Sequence, residues 1–222
     1  MVDQSLFLKL RQQTETIHHR TLNHKTVLGI GAGTLPEETF RYYIEQDYQF
    51  LRRYVQVLAL ATAASNGLLA MARLAELLHN TLDVEIDALR TLYERFGGVV
   101  ASLDDVPRSP TCAAYTNHLL AVAAERNLLL TLAAILPCQW GYREIGRSLE
   151  QLGLPADERY AAWIEEYAGD EYGSIVEWVI DHFDHLALDA GASVKARAAD
   201  AFVLSAKYEH GFWEMAWNRE QG

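Results

Sequence analysis

The chain has 222 residues, half of them hydrophobic and a tenth aromatic, with 30 acidic against 19 basic side chains and a net charge of −11. That composition supports one sizeable core. It argues against a basic groove for nucleic-acid phosphates and against docking on an anionic membrane. No apolar run is long enough to span a bilayer, and MVDQSLFLKLRQQTETIHH lacks the basic-then-apolar order of a signal peptide. Two cysteines, Cys112 and Cys138, are too few for a disulfide framework. A reducing cytoplasm is therefore expected, with Cys138 a free thiol.

No long segment alternates with period two; helical spacing dominates, which predicts an all-α bundle in a single domain over 1–222. A first helix is expected over 3–19, with Leu6, Leu10, Thr14 and Ile17 inward. Arg20–Leu35, holding Gly29, Gly31 and Gly33, reads as a loop long enough to hint at function. Pro36 opens a second helix, with Glu37 and Glu38 at its positive end, running to Ala64 where Ser65-Asn66-Gly67 stops it. A third covers 68–96 and ends at Gly97-Gly98; 99–108 is a loop. Ser109 and Pro110 begin a fourth that reaches Glu125. The fifth, 128–152, carries Pro137, which removes a backbone hydrogen bond at about 3 kcal/mol in an ordinary site and is expected to bend the helix beside Cys138. Shorter helices at 156–167 and 170–187 precede a final one over 192–218.

Three reactive side chains stand where this periodicity calls for apolar ones. Asp47 lies in the stripe Phe40, Ile44, Asp47, Leu51, Tyr54, Leu58. Cys138 lies in Thr131, Ile135, Cys138, Tyr142, Ile145, Leu149, and Glu209 in Phe202, Ser205, Glu209, Phe212, Ala216. A carboxylate on a buried face is costly unless paired, hydrogen-bonded or protonated. Aromatics surround both acids, Tyr43, Tyr48, Phe50 and Tyr54 near the first, Tyr208, Phe212, Trp213 and Trp217 near the second. Acids in an aromatic box have raised pKa values and become proton donors or shuttles. Taken singly, a cysteine there is an ordinary small core residue and a carboxylate half of a buried pair. Together the inward-facing groups describe a pocket for a planar, nitrogen-bearing substrate.

These residues and their flanks closely resemble the TenA/THI-4 family, whose thiaminase II members hydrolyse aminopyrimidines. The resemblance rests on NHKTVLGIGAGTLPEETFRYYIEQDYQFL at 23–51, AAYTNHLLAVA at 113–123, AAILPCQWGYREIG at 133–146, WIEEY at 163–167 and YEHGFWEMAW at 208–217. It implies the heme-oxygenase-like helical fold, a homotetramer, no cofactor and no metal. It implies Cys138 as the nucleophile and Glu209 as proton donor and shuttle. Asp47 would bond the ring nitrogen and amino group, Tyr142, Tyr167 and Tyr115 would line the substrate pocket, and Phe212 would lie beneath the ring. The substrate so implied is 4-amino-5-aminomethyl-2-methylpyrimidine or its N-formyl form, with thiamine slower and hydroxymethylpyrimidine the product. Phe50 departs from the pattern: members often have a tyrosine there that assists the cysteine, so thiol activation is expected to be either weaker or supplied by Tyr167 or Tyr142. The loop also begins His24-Lys25-Thr26 rather than HPF, and Ala32 replaces a common acid. Cys138 places the chain in the cysteine-bearing branch.

Three rival readings follow from other features. His18 in LRQQTETIHHR is a candidate proximal heme ligand by analogy of fold alone, although no glycine-rich kinked helix suits the opposite face. Glu15/His18 and Glu76/His79 have di-iron spacing, but the second pair lies off the Leu74, Leu78, Leu82 stripe; Asp181-His182-Phe183-Asp184-His185 reads as a solvated face. A non-catalytic, regulatory binding protein is the third, and net charge argues against its touching DNA.

Overall fold

A computed structural model describes residues 5–221, and among them there is no strand. In chain order the elements are α1 (Leu6–Gln13), α2 (Glu15–Leu22), α3 (Lys25–Gly31), α4 (Glu37–Ala64), α5 (Leu68–Asn80), a π turn (Thr81–Glu85) and α6 (Ile86–Arg95). A 3-10 turn (Val100–Asp105) then leads to α7 (Pro110–Ala124), α8 (Leu128–Leu152), α9 (Glu158–Ala168), α10 (Asp170–Asp189) and α11 (Ala192–Asn218).

Helix α8 is the axis of the bundle. Almost all of its first three turns is buried, so it reads as apolar all round, and α11, α9, α10 and α7 pack against it. Helix α4 lies against α5 and α7, and touches α8 and α11. Pro137 sits within α8 without ending it, fully buried, and takes away the amide that would bond the Ala133 carbonyl. Gly146 lets α9 approach: a Cβ there would stand 2.7 Å from the Ala168 nitrogen and the Tyr167 carbonyl carbon. That close approach is what brings Trp163 and Tyr167 onto the Tyr142 face of α8.

The structure corrects four expectations. The first helix is two, broken at Thr14, whose hydroxyl bonds back to the Leu10 carbonyl at 2.9 Å; its expected start at residue 3 lies outside the described residues. The segment 20–35 is not a long loop. Helix α2 reaches Leu22, and His24 caps the short α3 by accepting from the Thr26 amide at 3.2 Å. Gly33, at φ 65°, turns the chain from α3 toward α4. The helix expected over 68–96 contains the π turn, and the loop 99–108 holds the 3-10 turn, pinned to α4 through Gln49 and the Leu103 carbonyl at 2.6 Å.

Candidate active site

Asp47, Cys138 and Glu209, from α4, α8 and α11, meet. The Tyr43 hydroxyl, one turn before Asp47, is 3.3 Å from Asp47 Oδ2 and 3.1 Å from the Tyr142 hydroxyl. On the other side the Tyr115 hydroxyl donates to Glu209 Oε1 at 2.6 Å, and the Cys138 thiol lies beside the same carboxyl group. Both acids are buried, at 4% and 8% exposure. The remaining expected residues close around them. Phe50 packs 5.1 Å from Tyr115 and 5.8 Å from Phe212, ring centre to ring centre, and Tyr142 lies 4.8 Å from Tyr167.

Burial dominates the electrostatics. It raises the Asp47 pKa to about 7, with the Glu209 charge adding to the shift and the Tyr43 hydroxyl opposing it. Burial likewise raises Glu209 to about 7, against the hydrogen bonds from Tyr115 and Cys138. The Cys138 thiol is pushed well above its ordinary value by burial, and the charges of Glu209, Glu85 and Asp47 push it the same way. This is therefore not a thiol ionised in advance by a neighbouring cation. Its proton must leave to a base at the moment of attack, and the carboxyl group beside it is Glu209.

Beside this chamber lies a cavity of about 500 Å³ with Cys138 on its wall. This explains why Cys138 is only partly buried amid an otherwise buried stripe. Tyr54, Gln139, Glu85 and Tyr172 share that wall; Asp47 and Glu209 do not. Sulfur is thus the point where an accessible cavity meets a buried cluster of two acids and aromatic rings.

Some site groups escaped the sequence reading. Tyr43 was visible only as a neighbouring aromatic, although it stands four residues before Asp47 on the same face. Tyr54 was visible as a stripe member, with nothing to mark its hydroxyl as unpaired. Nothing pointed to Glu85. Two aromatics expected near the acids lie elsewhere: Tyr48 turns to Asp104 at 2.9 Å, and Trp217 lies 4.3 Å beneath the Lys25 ammonium.

No three His, Cys, Asp or Glu among the described residues are grouped so as to hold a metal ion. Glu76 pairs with Arg73 and His79 with Asp83, all on the surface. His182 stacks on Trp178, and Asp184 accepts from the Phe7 amide at 2.9 Å. His18 lies against Trp140, ring centres 4.1 Å apart, with its pKa lowered to about 4 by burial and by Arg11.

The bundle and its chamber define an all-helical protein with a cysteine and two carboxyl groups at its centre, of the heme-oxygenase-like fold. A domain of that fold from Shewanella denitrificans superposes with a TM-score of 0.73 at 12% identity, over 96% of this chain and 92% of its own. Residues 11–219 match the TENA/THI-4/PQQC family, and the chain belongs to it. An aminopyrimidine aminohydrolase from Halalkalibacterium halodurans is 35% identical over 96% of both chains. A TenA homologue from P. horikoshii OT3 superposes with a TM-score of 0.89 at 29% identity, covering 96% of this chain and 99% of its own.

Proposed function

We propose that this protein hydrolyses 4-amino-5-aminomethyl-2-methylpyrimidine, and thiamine more slowly, to hydroxymethylpyrimidine by covalent catalysis through Cys138. One observation carries the reading: a partly buried thiol beside the carboxyl of Glu209, in an aromatic cluster that also holds Asp47. It is supported by the aminopyrimidine aminohydrolase that resembles the chain end to end. Asp47, whose raised pKa of about 7 keeps a large share of it protonated at neutral pH, donates to a ring nitrogen and makes the ring more electrophilic. Glu209 takes the thiol proton as sulfur bonds to an electron-poor ring carbon. The bond from the exocyclic carbon to the departing ammonium nitrogen then breaks, and the ammonia released takes the proton held by Glu209. Water adds to the exocyclic carbon, giving up a proton to Glu209, and the carbon–sulfur bond breaks with its electron pair going back to sulfur, which regains its proton from Glu209. The net change is the pyrimidine amine plus water to the alcohol plus ammonia. Phe212, Phe50, Tyr115, Tyr142 and Tyr167 hold the flat ring and keep bulk water out.

A homotetramer acting in the cytoplasm on a small pyrimidine, with no nucleic-acid partner, belongs to the same reading. The family resemblance and the net charge of −11 support it. Purified protein incubated with the aminopyrimidine and with thiamine between pH 6 and 9 should release hydroxymethylpyrimidine. If neither compound is consumed, the protein is a binding member of the family and not a hydrolase.

A further inference from the structure

The cavity beside Cys138 is lined by five carboxylates, Glu85, Glu165, Glu166, Asp170 and Glu171, and among the described residues by no lysine, arginine or histidine. Four of these stand on the exposed rim; Glu85 is partly buried. A rim of acids alone would attract cations without placing them. Two further groups do mark a place. The Tyr54 hydroxyl and Gln139 Oε1, each on a residue only 3% exposed, line the same cavity and make no hydrogen bond of ordinary geometry, although the two side chains lie near each other. An unpaired buried polar atom costs about 1–3 kcal/mol, a cost removed when a donor arrives. Gln139 Oε1 can only accept, and the Tyr54 hydroxyl can accept.

Glu85 is aimed at this place by an unusual piece of backbone. It ends the π turn, whose extra residue re-aims a side chain relative to an uninterrupted helix. Its carboxyl lies near the Thr81 and Tyr167 hydroxyls, so it faces the aromatic cluster on one side and the cavity on the other. Burial, with Asp47 and Glu166 adding to the effect, raises its pKa to about 8. A cation beside it would restore its charge.

We propose that Glu85, Gln139 and Tyr54 form a subsite for the departing part of the substrate, and that the subsite selects a leaving group carrying a positively charged, hydrogen-bond-donating nitrogen. This rests on the pyrimidine reading of the adjoining chamber. The ring enters the chamber, its 5-substituent points past Cys138 into the cavity, and an ammonium on that substituent meets the Glu85 carboxylate and the two waiting acceptors. The acidic rim draws the cation in by longer-range attraction.

The test is equilibrium binding to the Cys138→Ser protein, which separates recognition from turnover. Two ligands with the same ring are titrated by calorimetry at pH 7: the 5-aminomethyl pyrimidine, an ammonium ion, and the uncharged 5-methoxymethyl pyrimidine. The cation should bind about tenfold more tightly. Adding Glu85→Gln should bring the two within twofold of each other, while affinity for the uncharged ligand is unchanged. Glu166→Gln, on the exposed rim, should narrow the preference by less, which gives a second reading if the Glu85 variant fails to fold. Equal affinity for the two ligands, no binding of either, or a preference that survives Glu85→Gln overturns the proposal. Failure of the hydrolase reading appears separately, as absence of product from the unmodified protein.

Discussion

The Tyr115 hydroxyl lies 2.6 Å from the Glu209 oxygen, and the Cys138 thiol stands beside the same carboxyl group. Tyr115 therefore stabilises the ionised form of Glu209 and opposes the effect of burial. With Glu209 ionised to take the thiol proton and Asp47 protonated to donate to the ring, kcat/KM should follow a bell with its maximum near pH 7, Glu209 setting the acid limb and Asp47 the alkaline one. Tyr115→Phe removes the donor, so the acid limb should move to higher pH by about one pH unit. A pH–rate profile with an unmoved limb would separate Glu209 from that proton transfer.

Cys138→Ser keeps the shape of the site and removes the sulfur nucleophile. Turnover should fall by about a thousandfold or more, while hydroxymethylpyrimidine still binds, as read by calorimetry. A variant that retains turnover would rule out covalent catalysis through this residue.

Tyr54→Phe should separate stability from activity. The hydroxyl it removes is buried and unpaired, so its loss should stabilise the free protein by about 1 kcal/mol. In a chain of this size that raises Tm by roughly 2–4 °C. Turnover of the aminomethyl substrate should nevertheless drop several-fold. A lower Tm would mean that the hydroxyl has a partner in solution.

The three raised carboxyls also set the pH dependence of stability. Asp47 and Glu209 at about 7 and Glu85 at about 8 all hold their protons more tightly in the folded chain than in the unfolded one. Their contribution is fully present below the ordinary carboxyl range and is lost as pH rises through about 7 to 8. The loss is roughly 1.4 kcal/mol per pH unit for each group protonated only when folded. Unfolding free energy measured by denaturant titration should decline from pH 5 to pH 8, and Glu85→Gln should make the decline shallower. A flat profile in the unmodified protein would show that these groups ionise normally.

Gly146→Ala tests how tightly α9 is held. The added methyl would meet backbone atoms of Tyr167 and Ala168 at 2.7 Å, and backbone cannot swing aside as a side chain can. A cost of about 1–3 kcal/mol is expected. KM for the pyrimidine should rise too, because Tyr167 and Trp163 shift against Tyr142. Unchanged Tm and KM would mean that α9 relaxes freely.

The helical architecture and the three central residues were legible because both rest on period. Asp47, Cys138 and Glu209 interrupt apolar stripes whose other members are buried, as the spacing of three and four requires. Where the period itself changes, the reading loses its register. The stripe drawn through Leu74, Leu78 and Leu82 assumes an unbroken helix, yet Leu82 is 44% exposed, and Leu77, Thr81 and Ile86 are the buried positions. Glu85 was hidden by the same interruption. Helix α3 was missed because three glycines in nine residues resemble a loop, whereas Gly31 is small to clear Leu149, with a Cβ there 2.6 Å from a leucine methyl. The break at Thr14 left no periodic trace, since the residues on either side keep facing inward.

The five residues Thr81–Glu85 form one insertion-sized irregularity in an otherwise regular rod. Deleting a single position there would restore ordinary winding and leave α5 and α6 nearly in their present phase, because a π turn absorbs one extra residue; the side chains within the turn, Glu85 included, would be re-aimed while sulfur, aspartate and both inner tyrosines stay where they stand. Relatives that differ by one residue in this stretch can therefore share a reaction centre and still diverge in the compounds they consume.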